Sequence, residues 1–100
     1  MPVEEARISP LDRGFLFGDG IYDVTPSYSG RFIALDRHID RLEMCLDNVG
    51  MENPLSREQW GDVAKELCQR NEGESLGIYF HVSRGDEGRR FHGFPENTPP

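Results

Sequence analysis

Lysine is nearly absent from this 100-residue chain. Lys65 is the only one among eleven bases, and the other ten are arginine. Cysteine is scarce too. Cys45 and Cys68 are too few for a disulfide framework and lack CxxC spacing, so reduced thiols and a cytoplasmic setting are expected. Positive charge is short: 18 acids against 11 bases give a formal charge of −7. That balance argues against nucleic acid or an anionic membrane surface as partner. No apolar run approaches the roughly 20 residues that span a bilayer. The acidic start Met1-Pro2-Val3-Glu4-Glu5 has no signal-peptide core. Cys45, Cys68, His38, His81 and His92 show no metal-ligand spacing, so no metal site is expected. Apolar residues reach only 36%, lean for a chain building a core alone, and the length allows one small domain over 1–100.

What is present reads in order. Residues 1–20 show no sustained periodicity, and Gly14, Gly18 and Gly20 after Pro10 suggest a shaped loop. Residues 21–28 read as a strand with Tyr22, Val24 and Tyr28 on one face. Pro26 removes a ladder donor and suggests an edge or bulged strand. Ser29-Gly30 is a tight hairpin turn, and Arg31 to Leu35 is the partner strand. Asp36 is the expected N-cap of a helix carrying Ile39, Leu42, Leu46 and Val49 on one stripe, with Gly50 as its stop. Ser56 and Gln59 form a capping box for a second helix with Trp60, Val63, Ala64, Leu67 and Cys68 at helical spacing. Asn71 and Gly73 end it. Leu76, Ile78, Phe80 and Val82 alternate as a half-buried strand. The order β-β-α-α-β predicts an α+β fold, a two-layer sandwich.

Two groups of residues could carry chemistry. Arg37 and Arg41 sit in the first turns of the first helix, where exposed N–H groups already favour anions. The plainer reading is that Asp36 and Asp40 neutralise them at the surface. His38 projects from the same side as Arg41. Arg84, Arg89 and Arg90 lie within seven positions, with His92 close by and glycines between. Arginine forks and a histidine donor fit a carboxylate or phosphate, and a solvated basic loop is the competing reading. Lys65, among Glu66 and Asp62, reads as a surface residue.

Four stretches carry a resemblance: ISPLDRGFLFGDGIYDV (Ile8 to Val24), YSGRFIALDRHIDRL (Tyr28 to Leu42), IYFHVSRG (Ile78 to Gly85) and RFHGFPENT (Arg90 to Thr98). Together they resemble the small N-terminal domain of the two-domain fold-type IV (class IV) pyridoxal-phosphate aminotransferases. Arg90-Phe91-His92-Gly93-Phe94-Pro95 is similar to the Arg-x-His-x-Phe-Pro stretch of D-amino-acid (D-alanine) aminotransferases. The resemblance implies pyridoxal 5'-phosphate as cofactor, with Arg41 gripping its phosphate and His38 in support. It implies that Tyr22, Arg90 and His92 bind the substrate carboxylate, the last two reaching into a neighbouring subunit of a homodimer. Asp23 stands where a glutamate is usual. The loop from Gly85 to Arg90 is one residue longer, which makes Arg89 a rival to Arg90. Spacing to His92 and Phe94-Pro95 favours Arg90.

In the family the Schiff-base lysine lies in the larger second domain, as does the glutamate near the pyridine nitrogen. Lys65 matches no family lysine with a role. The expectation is therefore a fragment with no catalytic residue of its own, inactive alone. The whole enzyme would move an amino group between a D-amino acid and a 2-oxo acid. Alternatives are an aminodeoxychorismate lyase or a branched-chain L-aminotransferase of the same family, or a non-catalytic domain that only packs against a partner.

Overall fold

A computed structural model describes all of residues 1–100. A single 3-10 turn at Val3–Glu5 precedes α1 (Arg13–Phe17), β1 (Gly20–Tyr28), β2 (Arg31–Phe32), α2 (Leu35–Asn48), α3 (Arg57–Arg70) and β3 (Ser75–Ser83). The strands form one antiparallel sheet in the order β2-β1-β3. This is the α+β order read from the sequence, with α1 added. The chain divides into two compact units: Ile21–His81, and Met1–Gly20 with Val82–Pro100.

Within 21–81, the hairpin closes as Ser29-Gly30 predicted. Ser29 and Gly30 both take positive φ, 49° and 78°, and Tyr28 pairs with Arg31 across a two-residue turn. β2 then stops at Phe32, short of the expected Leu35, and Pro26 supplies the reason. The Ile33 N–H donates to the Pro26 carbonyl at 3.1 Å, but proline has no N–H to return the bond. The ladder ends there. β1 is accordingly the central strand rather than an edge strand, because the missing donor falls where its neighbour has already run out.

Asp36 is not the N-cap of α2. Ala34 takes that place in a left-handed conformation (φ 54°) with no side-chain cap bond, and Asp36 falls in the first turn. The helix starts earlier because the Ala34 twist turns the chain directly out of the hairpin; Asp36 still suits the positive helix end. Ile39, Leu42 and Leu46 are buried, while Val49 lies past the last turn and is exposed. The capping box of α3 forms as read: Ser56 Oγ accepts from Gln59 N, and Ser56 N donates to Gln59 Oε1. Trp60 and Ala64 are buried, but Val63 and Leu67 sit at the exposed margin of the stripe. Trp60 meets Phe80 edge-on at 5.2 Å, a pair worth about 1 kcal/mol beyond its area, and its indole donates to Asn53 Oδ1.

β3 alternates as predicted, with Ile78 and Phe80 inward. β1 alternates the other way round. Its polar residues Asp23, Thr25 and Ser27 are buried, while Tyr22, Val24 and Tyr28 share an exposed face with Tyr79 of β3. The rings of Tyr22 and Tyr79 lie 5.6 Å apart on that face.

In the other unit, residues 1–20 are not only loop. Asp12 caps α1 by accepting from Gly14 N at 2.8 Å, and Gly18 ends the helix in the left-handed region. Five residues are too few to show periodicity, which is why the sequence read as a loop. Ser83 Oγ donates to Asp12 Oδ2, and Asp12 bridges to Asp86. Gly85, at φ 92°, is required for space as well: a Cβ there would run into the Pro99 carbonyl.

Candidate functional site

The inward polar face of β1 has a purpose. Asp23 is 2% exposed, and its carboxylate faces α2. Arg41 grips it with two bonds, Nε to Oδ2 at 3.0 Å and Nη2 to Oδ1 at 2.6 Å. His38 Nδ1 lies 2.9 Å from Oδ1. His38 and Arg41, three residues apart on one helix face, are thus gathered on a single acid. Burial alone would raise the Asp23 carboxyl; the hydrogen bonds from Arg41 and then His38 outweigh it and hold the group below the usual carboxylate range. Asp23 in turn holds Arg41 more firmly protonated than an isolated guanidinium.

This corrects the surface-neutralisation reading. Asp36 and Asp40 face Arg57 of α3, at 3.8 and 2.7 Å, not Arg41. Arg41 stays 57% exposed at its side chain. Its bonds to Asp23 use Nε and one Nη2 proton, which leaves both Nη1 protons directed away from the acid. With Nδ1 on Asp23, the outer nitrogen of His38 is Nε2. An acid beneath and free donors above fit a phosphate: the charge is fixed in place before the anion arrives.

A second buried acid organises the other unit. Asp19 Oδ2 accepts from Arg13 Nε at 2.8 Å and from Arg84 Nε at 2.9 Å. Its carboxyl is pushed up by burial, but the bonds from Arg84 and Arg13 prevail and lower it. Arg84 is buried and stacks on Phe94 at 4.2 Å. It does not belong to an exposed anion trap with Arg89 and Arg90, because its guanidinium is engaged on Asp19.

The exposed arginines separate by their contacts. Arg89 lies over Phe91 at 4.8 Å with Glu87 at 3.8 Å. Arg90 has no acid partner and lies 5.1 Å from the centre of the Phe17 ring. His92 meets the same ring at 4.7 Å. Phe17 therefore brings Arg90 and His92 together and leaves Arg89 out. Tyr22 stands on the open sheet face, 66% exposed. Lys65 is exposed on α3.

Sequence reasoning named the cations and missed what holds them. Asp23 was noticed only for its length. The signal for it was present: Asp23, Thr25 and Ser27 alternate with Tyr22, Val24, Pro26 and Tyr28, so one face of β1 had to be polar. Arg13, Asp19 and Phe17 left no comparable signal, since their partners lie up to 80 residues away.

Comparison with known proteins gives a consistent set. The amino-transferase class IV family profile matches residues 20–100. D-alanine aminotransferase of Listeria monocytogenes serotype 1/2a (strain 10403S) is 33% identical over 96 residues, covering 96% of this chain and 33% of the relative. The D-alanine aminotransferase of Staphylococcus epidermidis (strain ATCC 12228 / FDA PCI 1200) is 33% identical over 97 residues, again 33% of the relative. Among solved structures, 4-amino-4-deoxychorismate lyase from Pseudomonas aeruginosa superposes with a TM-score of 0.75 at 27% identity, over 95% of this chain and 33% of that one. The chain thus spans about a third of the length of the relatives it matches. No helix is long and apolar enough to cross a membrane.

Proposed function

The chain belongs to the amino-transferase class IV family, and on that premise we propose that it supplies the anion-binding half of a pyridoxal-phosphate transaminase. It serves as the small N-terminal domain of a longer, cytoplasmic, homodimeric enzyme acting on D-amino acids and 2-oxo acids. The observation that carries this is the Asp23 carboxylate, with Arg41 and His38 anchored on it and free donors turned outward.

Arg41 holds the phosphate of the cofactor, and His38, oriented by Asp23, supports it. A shorter acid than the usual glutamate still reaches Arg41 with both oxygens. Arg90 offers its fork to the substrate carboxylate of the neighbouring subunit and His92 adds a donor there, while Tyr22 contributes its hydroxyl within its own subunit. Arg90 is preferred to Arg89 because Phe17 keeps it beside His92 and no acid competes for it. When bound, pyridoxal phosphate supplies the electron-withdrawing ring that stabilises negative charge at the substrate carbon. On this reading the residues of this chain bind and orient. Lys65 lies in neither cluster, so the 100 residues alone should bind anions and not transaminate.

Two measurements on the enzyme that carries this chain test the reading. Arg90→Ala should raise KM for D-alanine by at least about tenfold, the worth of a lost charge-assisted pair. An unchanged KM would remove Arg90 from the trap. A substrate panel addresses the second reading, an aminodeoxychorismate lyase, which the Pseudomonas likeness favours. Pyruvate release from aminodeoxychorismate without D-alanine turnover would establish the lyase. Turnover of L-leucine would point to a branched-chain enzyme.

A further inference from the structure

We infer that Arg13 is the positioning residue of the loop carrying Arg90 and His92, setting the geometry of carboxylate recognition without touching the ligand. The inference rests on the carboxylate-trap reading given above.

Arg13 is 2% exposed, and its side chain is used in every direction. Nε donates to Asp19. Nη1 donates to the Phe91 carbonyl at 2.6 Å and to the Gly93 carbonyl at 3.2 Å. Nη2 donates to the His92 carbonyl at 3.2 Å. Three consecutive carbonyls therefore converge on one guanidinium. The Arg13 backbone N–H also donates to the Gly85 carbonyl at 2.8 Å. A single residue thus fixes both ends of the excursion from Gly85 to Gly93.

Regular structure does not hold the loop. Beyond the Asp86 bridge, residues 87–100 contain no helix or strand. Carbonyls outside a ladder need other donors, or they turn to water and the chain relaxes. Arg13 supplies those donors at the residues where side-chain direction matters, on either side of the His92 Cα. Phe17, one helical turn along from Arg13 in α1, finishes the arrangement. Its ring centre lies 5.0 Å from the Arg13 guanidinium carbon, 5.1 Å from that of Arg90 and 4.7 Å from the His92 ring. Backbone and side chains of the trap are referred to the same five-residue helix. Lysine could keep the charge, but an ammonium cannot bond Asp19 and three carbonyls in a planar fork.

The test compares the wild-type 100-residue chain with Arg13→Lys and Arg13→Ala by NMR, with sodium pyruvate as the carboxylate probe. Two readings are taken: the ring-current displacement of the His92 ring protons by Phe17, and the pyruvate dependence of the His92 and Arg90 Nε–H signals. The Trp60 indole and the Leu42 and Leu46 methyls report whether residues 21–81 stay folded. Arg13→Lys should abolish the displacement and weaken the pyruvate response by about tenfold or more, as expected for groups moved by the order of an ångström, with the Trp60 and leucine signals unchanged. If Arg13→Lys keeps both readings within about twofold of wild type, far short of that loss, the positioning role is overturned. If wild type ignores pyruvate while Arg13→Lys still loses the displacement, Arg13 positions the loop and the carboxylate reading fails instead. Should either variant lose the Trp60 signal, Asp19→Asn replaces it. That change loosens the Nε anchor while keeping the guanidinium, and the same two readings decide.

Discussion

Asp23 holds His38 and Arg41, one half-buried and the other largely in solvent; Asp19 holds Arg13 and Arg84, both buried. Each acid pairs with two basic side chains, and each is held below the usual carboxylate range by them. What differs is the fate of the remaining donors. On Asp23 they face outward, available to an anion. On Asp19 the donors of Arg13 are consumed by Phe91, His92 and Gly93, and Arg84 lies under Phe94. A buried carboxylate with two basic partners is therefore a common device put to two uses. The first presents charge; the second shapes backbone.

The comparison can be broken most severely at Asp19. Asp19→Ala removes the acid that two buried guanidiniums share, leaving Arg13 with Glu87 at 3.5 Å, and breaking a buried pair in this way costs about 3–5 kcal/mol. Urea unfolding should show that loss; a cost near zero would mean that the carbonyls and Glu87 hold Arg13 without Asp19. Acid comes next. Both acids titrate below their ordinary value when folded, so their contribution is complete above the unfolded pKa, about 4, and is lost as pH falls through the folded values. Urea midpoints should therefore decline below about pH 4, and Asp19→Asn and Asp23→Asn should each flatten the decline. A wild-type midpoint constant through that window would contradict the assigned pairs. The smallest effect on stability belongs to Arg41→Gln. It should lower the melting temperature by less than Asp19→Ala does, because buried Asp23 keeps His38, and should weaken binding of pyridoxal phosphate by about tenfold, read by calorimetry. A variant that loses stability but keeps the affinity would make Arg41 a scaffold like Arg13.

The legible parts of the fold were those set by neighbours in sequence. The Ser56–Gln59 capping box, the Ser29-Gly30 turn and the alternation of Ile78 and Phe80 depend on spacings of one to four residues, and all formed as read. Asp36 was misplaced as a cap because an alanine in a left-handed conformation leaves no mark in composition. Pro26 was read correctly as a missing donor, but which neighbour would feel it depended on the sheet order. At the candidate site, His38 with Arg41, and Arg90 with His92, could be picked out by resemblance. Arg84 looked like their equal and is not, because the exposure of an arginine is decided by the acid that reaches it. Arg13 was invisible for the same reason.

The clasp between Arg13 and residues 91–93 also has a consequence in time. Residues 21–81 are contiguous and carry their own buried core, so they can collapse as soon as they leave the ribosome. The remaining unit is built from two stretches far apart in the chain, joined by bonds spanning 78–80 positions. Such contacts form late, since closing a long loop must precede any gain from it. The Arg90 loop is thus among the last parts of the molecule to take shape. Until it closes, Arg13 remains a solvated cation in an unfinished chain.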